Sequence, residues 1–214
     1  MKITILCSDR EHPVNKYLED WISRNSASHD LTLARRKDDI PGGEILFLIS
    51  CSEIVKRHDL AKYKNSLVLH ASDLPKGRGW SPHIWEILNG EETITLSLLE
   101  AGDKVDSGRI WKKMKLFIPR HALWNEINDC LFRAEIELMD FAVNNYQHIQ
   151  PTEQDDTIPP TYFPKRSPEN SMLNPGSSLE VQFDQIRVCD PNRFPAYFHL
   201  HGHRYKLILE KMDL

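Results

Sequence analysis

Three short, mostly apolar runs constrain this chain more than any other feature: Lys2–Cys7 (KITILC), Ile45–Ser50 (ILFLIS) and Ser66–His70 (SLVLH). Each reads as a strand buried on both faces rather than one that alternates between core and water. Between the first two, Asp9–Pro13 make a turn, and Val14, Tyr17, Leu18, Trp21 and Ile22 then repeat at helical spacing. Leu31–Ala34 supplies a short further strand ahead of the charged RRKDD loop, and a helix is expected over Glu53–Tyr63. Apolar strands alternating with helices imply an α/β protein whose mainly parallel sheet is covered on both sides.

Further along, Ser81 and Pro82 mark the start of a short helix to Leu88 as its N-cap and first position. Thr93–Leu99 is a strand, and Arg109–Ile118 a further extended segment. From His121 to Asn145 the residues Leu123, Ile127, Leu131, Ala134, Leu138, Phe141 and Ala142 recur at three- and four-residue steps, which predicts the longest helix. Six prolines then fall between Pro151 and Pro175 without periodicity, as in a linker or an irregular substrate-facing loop. Ala196–Leu200 and Arg204–Leu209 are strand-like around a His201-Gly202-His203 turn. The expected organisation is a core over 1–150, a proline-rich segment over 151–178 and a small β-rich unit over 179–214.

Charge and cysteine usage narrow the function. With 27 Lys+Arg against 31 Asp+Glu over 214 residues, the net charge of −4 argues against binding nucleic acid. Cys7, Cys51, Cys130 and Cys189 lie far apart and read as reduced thiols of a cytoplasmic protein. No segment approaches the ~18–20 apolar residues of a membrane span, and the first residues do not form a signal peptide. Neither GxGxxG nor GxxxxGK[ST] occurs, so no nucleotide-cradling loop is indicated.

Two features can carry chemistry. His70 ends a buried strand, and ligands of open α/β sheets bind beyond the carboxyl ends of strands; a histidine there can work as an acid or base, or simply bond to backbone. Gly102–Gly108 is a tight turn carrying Asp103 and Asp106, which alone could be no more than a connection. Taken together the residues form a longer pattern: His70, Ser72, Leu74, Pro75, Lys76, Arg78 and Gly79, then Pro82, Trp85 and Ile87, then Gly90 and Glu91, then Ala101, Gly102, Val105, Asp106 and Gly108. This pattern resembles the N10-formyltetrahydrofolate-dependent formyltransferases, a superfamily with a Rossmann-like core.

The resemblance implies a formyl group passed from N10-formyltetrahydrofolate to an amine, with His70 and Asp106 catalytic and no metal. His70 would stabilise the oxyanion, and Asp106 would support the imidazole's charge and take the amine proton. The donor would lie against Ser50, Cys51, Ile54, Gly102, Asp103 and Val105. One departure is Val68, where the family usually has an asparagine that supplies a second oxyanion donor; Asn65 or Ser66 could replace it only if the strand points them the right way. The His also arrives early, as though the N-terminal unit were trimmed.

The C-terminal third resembles the sugar-nucleotide branch. Thr161–Ser171 is similar to its T-Y-x-x-R-x-P-E-D segment, and Arg193–Phe198 with Gly202 and Tyr205–Leu207 to its terminal hairpin. By this resemblance Lys76, Arg78, Trp80, Tyr162, Lys165, Arg166, Arg193 and Phe194 are the expected substrate contacts, basic groups for a diphosphate and aromatics for a base or sugar face. The acceptor expected is a UDP-linked 4-amino-4,6-dideoxy-N-acetyl sugar, as in pseudaminic-acid-type pathways, serving surface glycan synthesis. Other readings are a carrier-bound aminoacyl amine, a non-catalytic binding module of the same fold, and a metal site from His199, His201 and His203, which Gly202 interrupts. The apolar content of the C-terminal unit would suit a homodimer interface.

Overall fold

A computed structural model describes residues 1–102 and 104–212; Asp103, expected on the donor side of the site, lies outside the described residues. The chain runs β1 (Lys2–Leu6), α1 (Asn15–Asn25), β2 (Asp30–Ala34), β3 (Gly43–Leu48), α2 (Arg57–Leu60), β4 (Tyr63–His70), β5 (Arg78–Gly79), α3 (Pro82–Leu88), β6 (Thr93–Glu100), β7 (Ile110–Phe117), α4 (Trp124–Asn145), β8 (Tyr162–Phe163), α5 (Leu179–Arg187), β9 (Ala196–Leu200) and β10 (His203–Leu207). The main sheet has the order β2-β1-β3-β4-β6-β7. Its first four strands are parallel, as the apolar runs imply. β6 is antiparallel to both β4 and β7, and the 101–109 connection between β6 and β7 is too short to carry a crossover.

The two faces bury different sets. Leu18 and Trp21 of α1 and Leu131, Leu138, Met139 and Ala142 of α4 cover Ile3, Ile5, Phe47, Leu67 and Leu96. The helices are tied by Tyr17 Oη donating to Asp129 at 2.5 Å and Trp21 Nε1 donating to Asp140 at 2.6 Å. On the other face Leu6, Ala34, Ile40, Leu46 and Tyr63 form a second cluster.

Two helical expectations need correction. The Glu53–Tyr63 helix shrinks to α2, because the Glu53 carboxylate accepts the Lys37 N–H at 2.7 Å and Tyr63 already pairs with Gly43 as a strand residue. Ser81 does precede α3, but its φ of 46° turns it left-handed and its hydroxyl caps nothing.

The proline-rich segment folds back onto the core. Thr152 bridges to Ile110, and β8 pairs parallel with β5 (Arg78↔Tyr162, Gly79↔Phe163). The C-terminal unit contains the antiparallel β9–β10 hairpin, but it opens with α5, which the sequence reading does not include. The reason is legible: Leu179, Val181 and Phe183 alternate like a strand, whereas the Ser178 Oγ accepts the Val181 N–H and starts a helix. Buried Arg187, paired with Asp184 of its own helix, fastens α5 to the core through the Pro119 and Ala122 carbonyls. Among the described residues, no helix is long and apolar enough to cross a membrane, and no group of three or more His, Cys, Asp or Glu could hold a metal ion. His201 sits in the hairpin turn at φ 50° while His199 and His203 lie on opposite strands.

Candidate active site

β3 and β4 run parallel with Leu48 opposite Val68, so Ser50 and His70 leave the sheet at the same carboxyl edge. His70 is buried, and its Nε2 donates to the Gly77 carbonyl at 2.8 Å. Its Nδ1 faces Asp106 Oδ1 across 3.6 Å, too far for a hydrogen bond and close enough for an ion pair. Both side chains are more than nine-tenths buried. Asp106 itself stands at φ 53°, and its Oδ2 accepts the Gly79 N–H at 2.9 Å.

The glycines of the 70–79 loop are needed where they stand. Gly77 and Gly79 have φ of 71° and 100°, and a Cβ on Gly79 would lie 2.4 Å from the Phe163 carbonyl oxygen. Gly79→Ala is therefore expected to cost about 2 kcal/mol or more by forcing β5 and β8 apart. Urea unfolding would check this, and an unchanged midpoint would contradict it.

Val68, in the position of the family's asparagine, packs against Leu74, Leu99 and Ile110. Neither sequence neighbour replaces it. Asn65 alternates to the opposite sheet face from His70, and the Ser66 hydroxyl donates to the Leu60 carbonyl at 3.2 Å.

The other expected residues fall into groups. On the donor side Ser50 takes φ 46°, the Cys51 thiol contacts the Glu53 carbonyl at 3.6 Å, and Ile54 and Val105 are 78% and 69% exposed. Among the described residues, nothing beyond its chain neighbours stands within 4 Å of where a Cβ on Gly102 would be. Exposed apolar side chains and open backbone on the two loops beside His70 fit a flat, amide-edged ring such as a pterin.

On the other side Lys165 Nζ lies 4.8 Å from the Trp80 ring centre, and Arg78 NH1 donates to Tyr162 Oη at 3.3 Å. Arg193 pairs with Asp9 and lies over Phe194, which is half-exposed. Among the described residues, Arg166 reaches Ser171 Oγ, at 3.5 Å, and its Nε has no partner. Lys76 is exposed and makes only a backbone bond, from its N–H to the Asp73 carbonyl.

Sequence reasoning misses three residues here. Burial first, then the nearby His70, His12 and Arg166, push His83 down to about 3; its Nδ1 is sealed from solvent without a partner. Burial and then Arg193 push His12 down to about 4, and its Nδ1 accepts the Val14 N–H at 3.2 Å. Gln154 is the third: its Nε2 donates to the Asp106 and Gly108 carbonyls, both at 2.9 Å, and its Oε1 accepts from Arg78 at 2.7 Å. An isolated amide in a proline-rich stretch gives no periodic or motif signal.

The architecture is the formyltransferase fold: a Rossmann-like, mainly parallel sheet with a small antiparallel unit behind it. Comparison with known proteins agrees. The methionyl-tRNA formyltransferase of Clostridium thermocellum superposes with a TM-score of 0.83 at 23% identity, over 100% of this chain and 94% of that one. A sugar N-formyltransferase from a Shewanella species gives 0.74 at 14% identity over 100% and 99%. HypX of Aquifex aeolicus, solved in complex with tetrahydrofolic acid, gives 0.78 at 18% identity over 95% of this chain and 36% of that one. These are likenesses of fold.

In sequence, the chain is 25% identical over 173 residues to the methionyl-tRNA formyltransferase of Protochlamydia amoebophila, covering 78% of this chain and 54% of the relative. It thus spans about half the length of that relative. No family model matches.

Proposed function

We propose that this protein is an N-formyltransferase that moves a formyl group from N10-formyltetrahydrofolate to the amino group of a nucleotide-linked deoxyamino sugar. The observation that carries the reading is the buried His70–Asp106 pair at the open edge of the sheet, with its 3.6 Å gap. Because Nε2 is held by the Gly77 carbonyl, Nδ1 is the edge of His70 free to address a reactant.

The folate, as cosubstrate, supplies the formyl group bound at N10. As an amine adds to the formyl carbon, the Nδ1 edge of His70 stabilises the oxygen that becomes negative. Asp106 Oδ1 takes the proton the amine must lose, while its Oδ2 stays anchored on Gly79. Collapse re-forms the C=O bond, breaks the bond to N10 and returns that proton to N10, so the formamide and tetrahydrofolate leave with all atoms accounted for. With Val68 in the asparagine position, His70 carries the oxyanion without a second side-chain donor from that strand.

The acceptor side supports a nucleotide sugar. Arg166 is half-buried with no carboxylate partner among the described residues, which suits a diphosphate. Trp80 and Tyr162 are exposed, as stacking on a base or sugar face requires. The net charge of −4 suits it better than a transfer RNA. The four free cysteines suit a reducing, cytoplasmic setting. A UDP-linked 4-amino-4,6-dideoxy-N-acetyl sugar of surface glycan synthesis is the favoured acceptor.

The names of the relatives favour a second reading, methionyl-tRNA as acceptor. Initial rates with UDP- and dTDP-linked 4-amino sugars, charged methionyl-tRNA and a carrier-bound aminoacyl thioester, each with the same donor, separate the readings. Turnover confined to a nucleotide sugar is expected. Turnover on methionyl-tRNA or the thioester alone would overturn the sugar assignment.

A further inference from the structure

We propose that Gln154 is a positioning residue that sets Asp106 against His70, a role that rests on the functional reading above. Asp106 belongs to the turn between β6 and β7, where the Ser107 hydroxyl donates to the Lys104 carbonyl at 2.9 Å. Asp106 stands at φ 53°, in the left-handed region that a non-glycine residue rarely occupies unless its surroundings impose it. Among the described residues, Gln154 is the side chain that bonds the backbone carbonyls of this turn from outside it, alongside the Gly79 N–H on the Asp106 carboxylate. The Gln154 amide donates both hydrogens, one to the Asp106 carbonyl and one to the Gly108 carbonyl, each at 2.9 Å. A single NH₂ group thereby grips the turn on both sides of Ser107. With the two backbone oxygens fixed, the Asp106 side chain projects so that Oδ2 takes the Gly79 N–H and Oδ1 is left for His70.

The orientation of that amide is forced. Two carbonyls demand hydrogens on one side, and the Arg78 guanidinium, 2.7 Å from Oε1, demands an acceptor on the other. Gln154 is in turn set by its neighbours, since Thr152 exchanges backbone hydrogen bonds with Ile110 on β7. From the same segment, the Thr161 hydroxyl accepts the Gly77 N–H at 2.8 Å, on the residue whose carbonyl holds His70 Nε2. The proline-rich stretch thus braces both members of the pair: Gln154 holds the aspartate turn and Thr161 the histidine's anchor. Gln154 touches neither His70 nor the Asp106 carboxylate, so its effect passes through the backbone of 106–108.

The test uses the full chain as wild type, Gln154→Ala and Gln154→Glu. Glu keeps an acceptor for Arg78 but sets a carboxylate against two carbonyls, so it separates the Arg78 contact from the grip on the turn. In formyl transfer, both variants are expected to lose ~10–100-fold in kcat with the folate KM within about threefold, while still melting in one cooperative transition. A kcat within about threefold of wild type in either variant would overturn the proposal. A second readout needs no acceptor: amide hydrogen exchange at Gly79, whose N–H is bonded to Asp106, should quicken about tenfold in both variants. The Trp80 amide, bonded to the Phe163 carbonyl, should not change. Unaltered Gly79 exchange overturns the positioning role. A wild-type protein that transfers no formyl group to any acceptor counts against the functional reading alone, and the exchange data then decide Gln154.

Discussion

His70→Ala is expected to lower formyl transfer by ~10³-fold while leaving the affinity for the folate within about threefold. The ring is buried, with Nε2 on the Gly77 carbonyl and Nδ1 facing Asp106 across a 3.6 Å gap, so alanine removes the side chain that presents its Nδ1 edge to the reacting oxygen from this strand. No second donor takes over, because Val68 is committed to an apolar cluster and the Ser66 hydroxyl to Leu60. The proposed folate contacts, Ile54, Gly102 and Val105, lie on other loops, so binding should survive. Steady-state rates together with equilibrium folate binding check both halves. A variant that loses folate and turnover in proportion would mean that His70 shapes the pocket and does not act in the chemistry.

The second large effect concerns stability. Glu135 is 6% exposed in the middle of α4, one carboxyl oxygen has no partner among the described residues, and burial alone pushes it up to about 8. The sign follows from linkage. Folded, Glu135 holds its proton up to about pH 8, whereas unfolded it releases it near 4.5, so the folded chain binds the extra proton between those values. Its stability is therefore fully present below 4.5 and is lost as pH rises through 8. At pH 7 the loss is about 3 kcal/mol. Glu135→Gln, which cannot ionise, should unfold at correspondingly higher urea at pH 7–8 and match the wild type near pH 4.5. A gain that does not vary with pH would contradict the assignment.

His12 and His83 act in the opposite direction. Pushed down to about 4 and about 3, they contribute stability that is present above 6.5 and lost as pH falls through those values. Between them the three groups predict a wild-type stability maximum in mildly acidic to neutral solution.

Much of this architecture is legible in the residues. The apolar runs at Lys2, Ile45 and Ser66 have one stable solution, a covered parallel sheet, and β1, β3 and β4 adopt it. α4 is legible because its apolar positions repeat over several turns. α2 and α5 are misjudged where local pattern and tertiary context conflict: Glu53 gives its carboxylate to Lys37, and the alternation at 179–183 imitates a strand. The His70–Asp106 pair is found through a motif whose members sit 36 residues apart, and the fold brings them within 3.6 Å. The antiparallel turn at the β6–β7 end and the return of 151–163 across it are tertiary facts with no local signature. Gln154, His12 and His83 stay silent in the sequence for that reason; what makes them matter is which backbone oxygens and charges surround them.

The most direct test of the central claim is to follow a labelled formyl group. The full chain would be incubated with N10-[¹³C]formyltetrahydrofolate and the nucleotide-linked amino sugars, and the acceptors weighed by mass spectrometry, with His70→Ala in parallel. The account predicts one labelled formyl group on the amine of one acceptor with the wild type, and a signal reduced ~10³-fold with the variant. Label on no acceptor while the folate demonstrably binds, or label delivered equally well by His70→Ala, would contradict it.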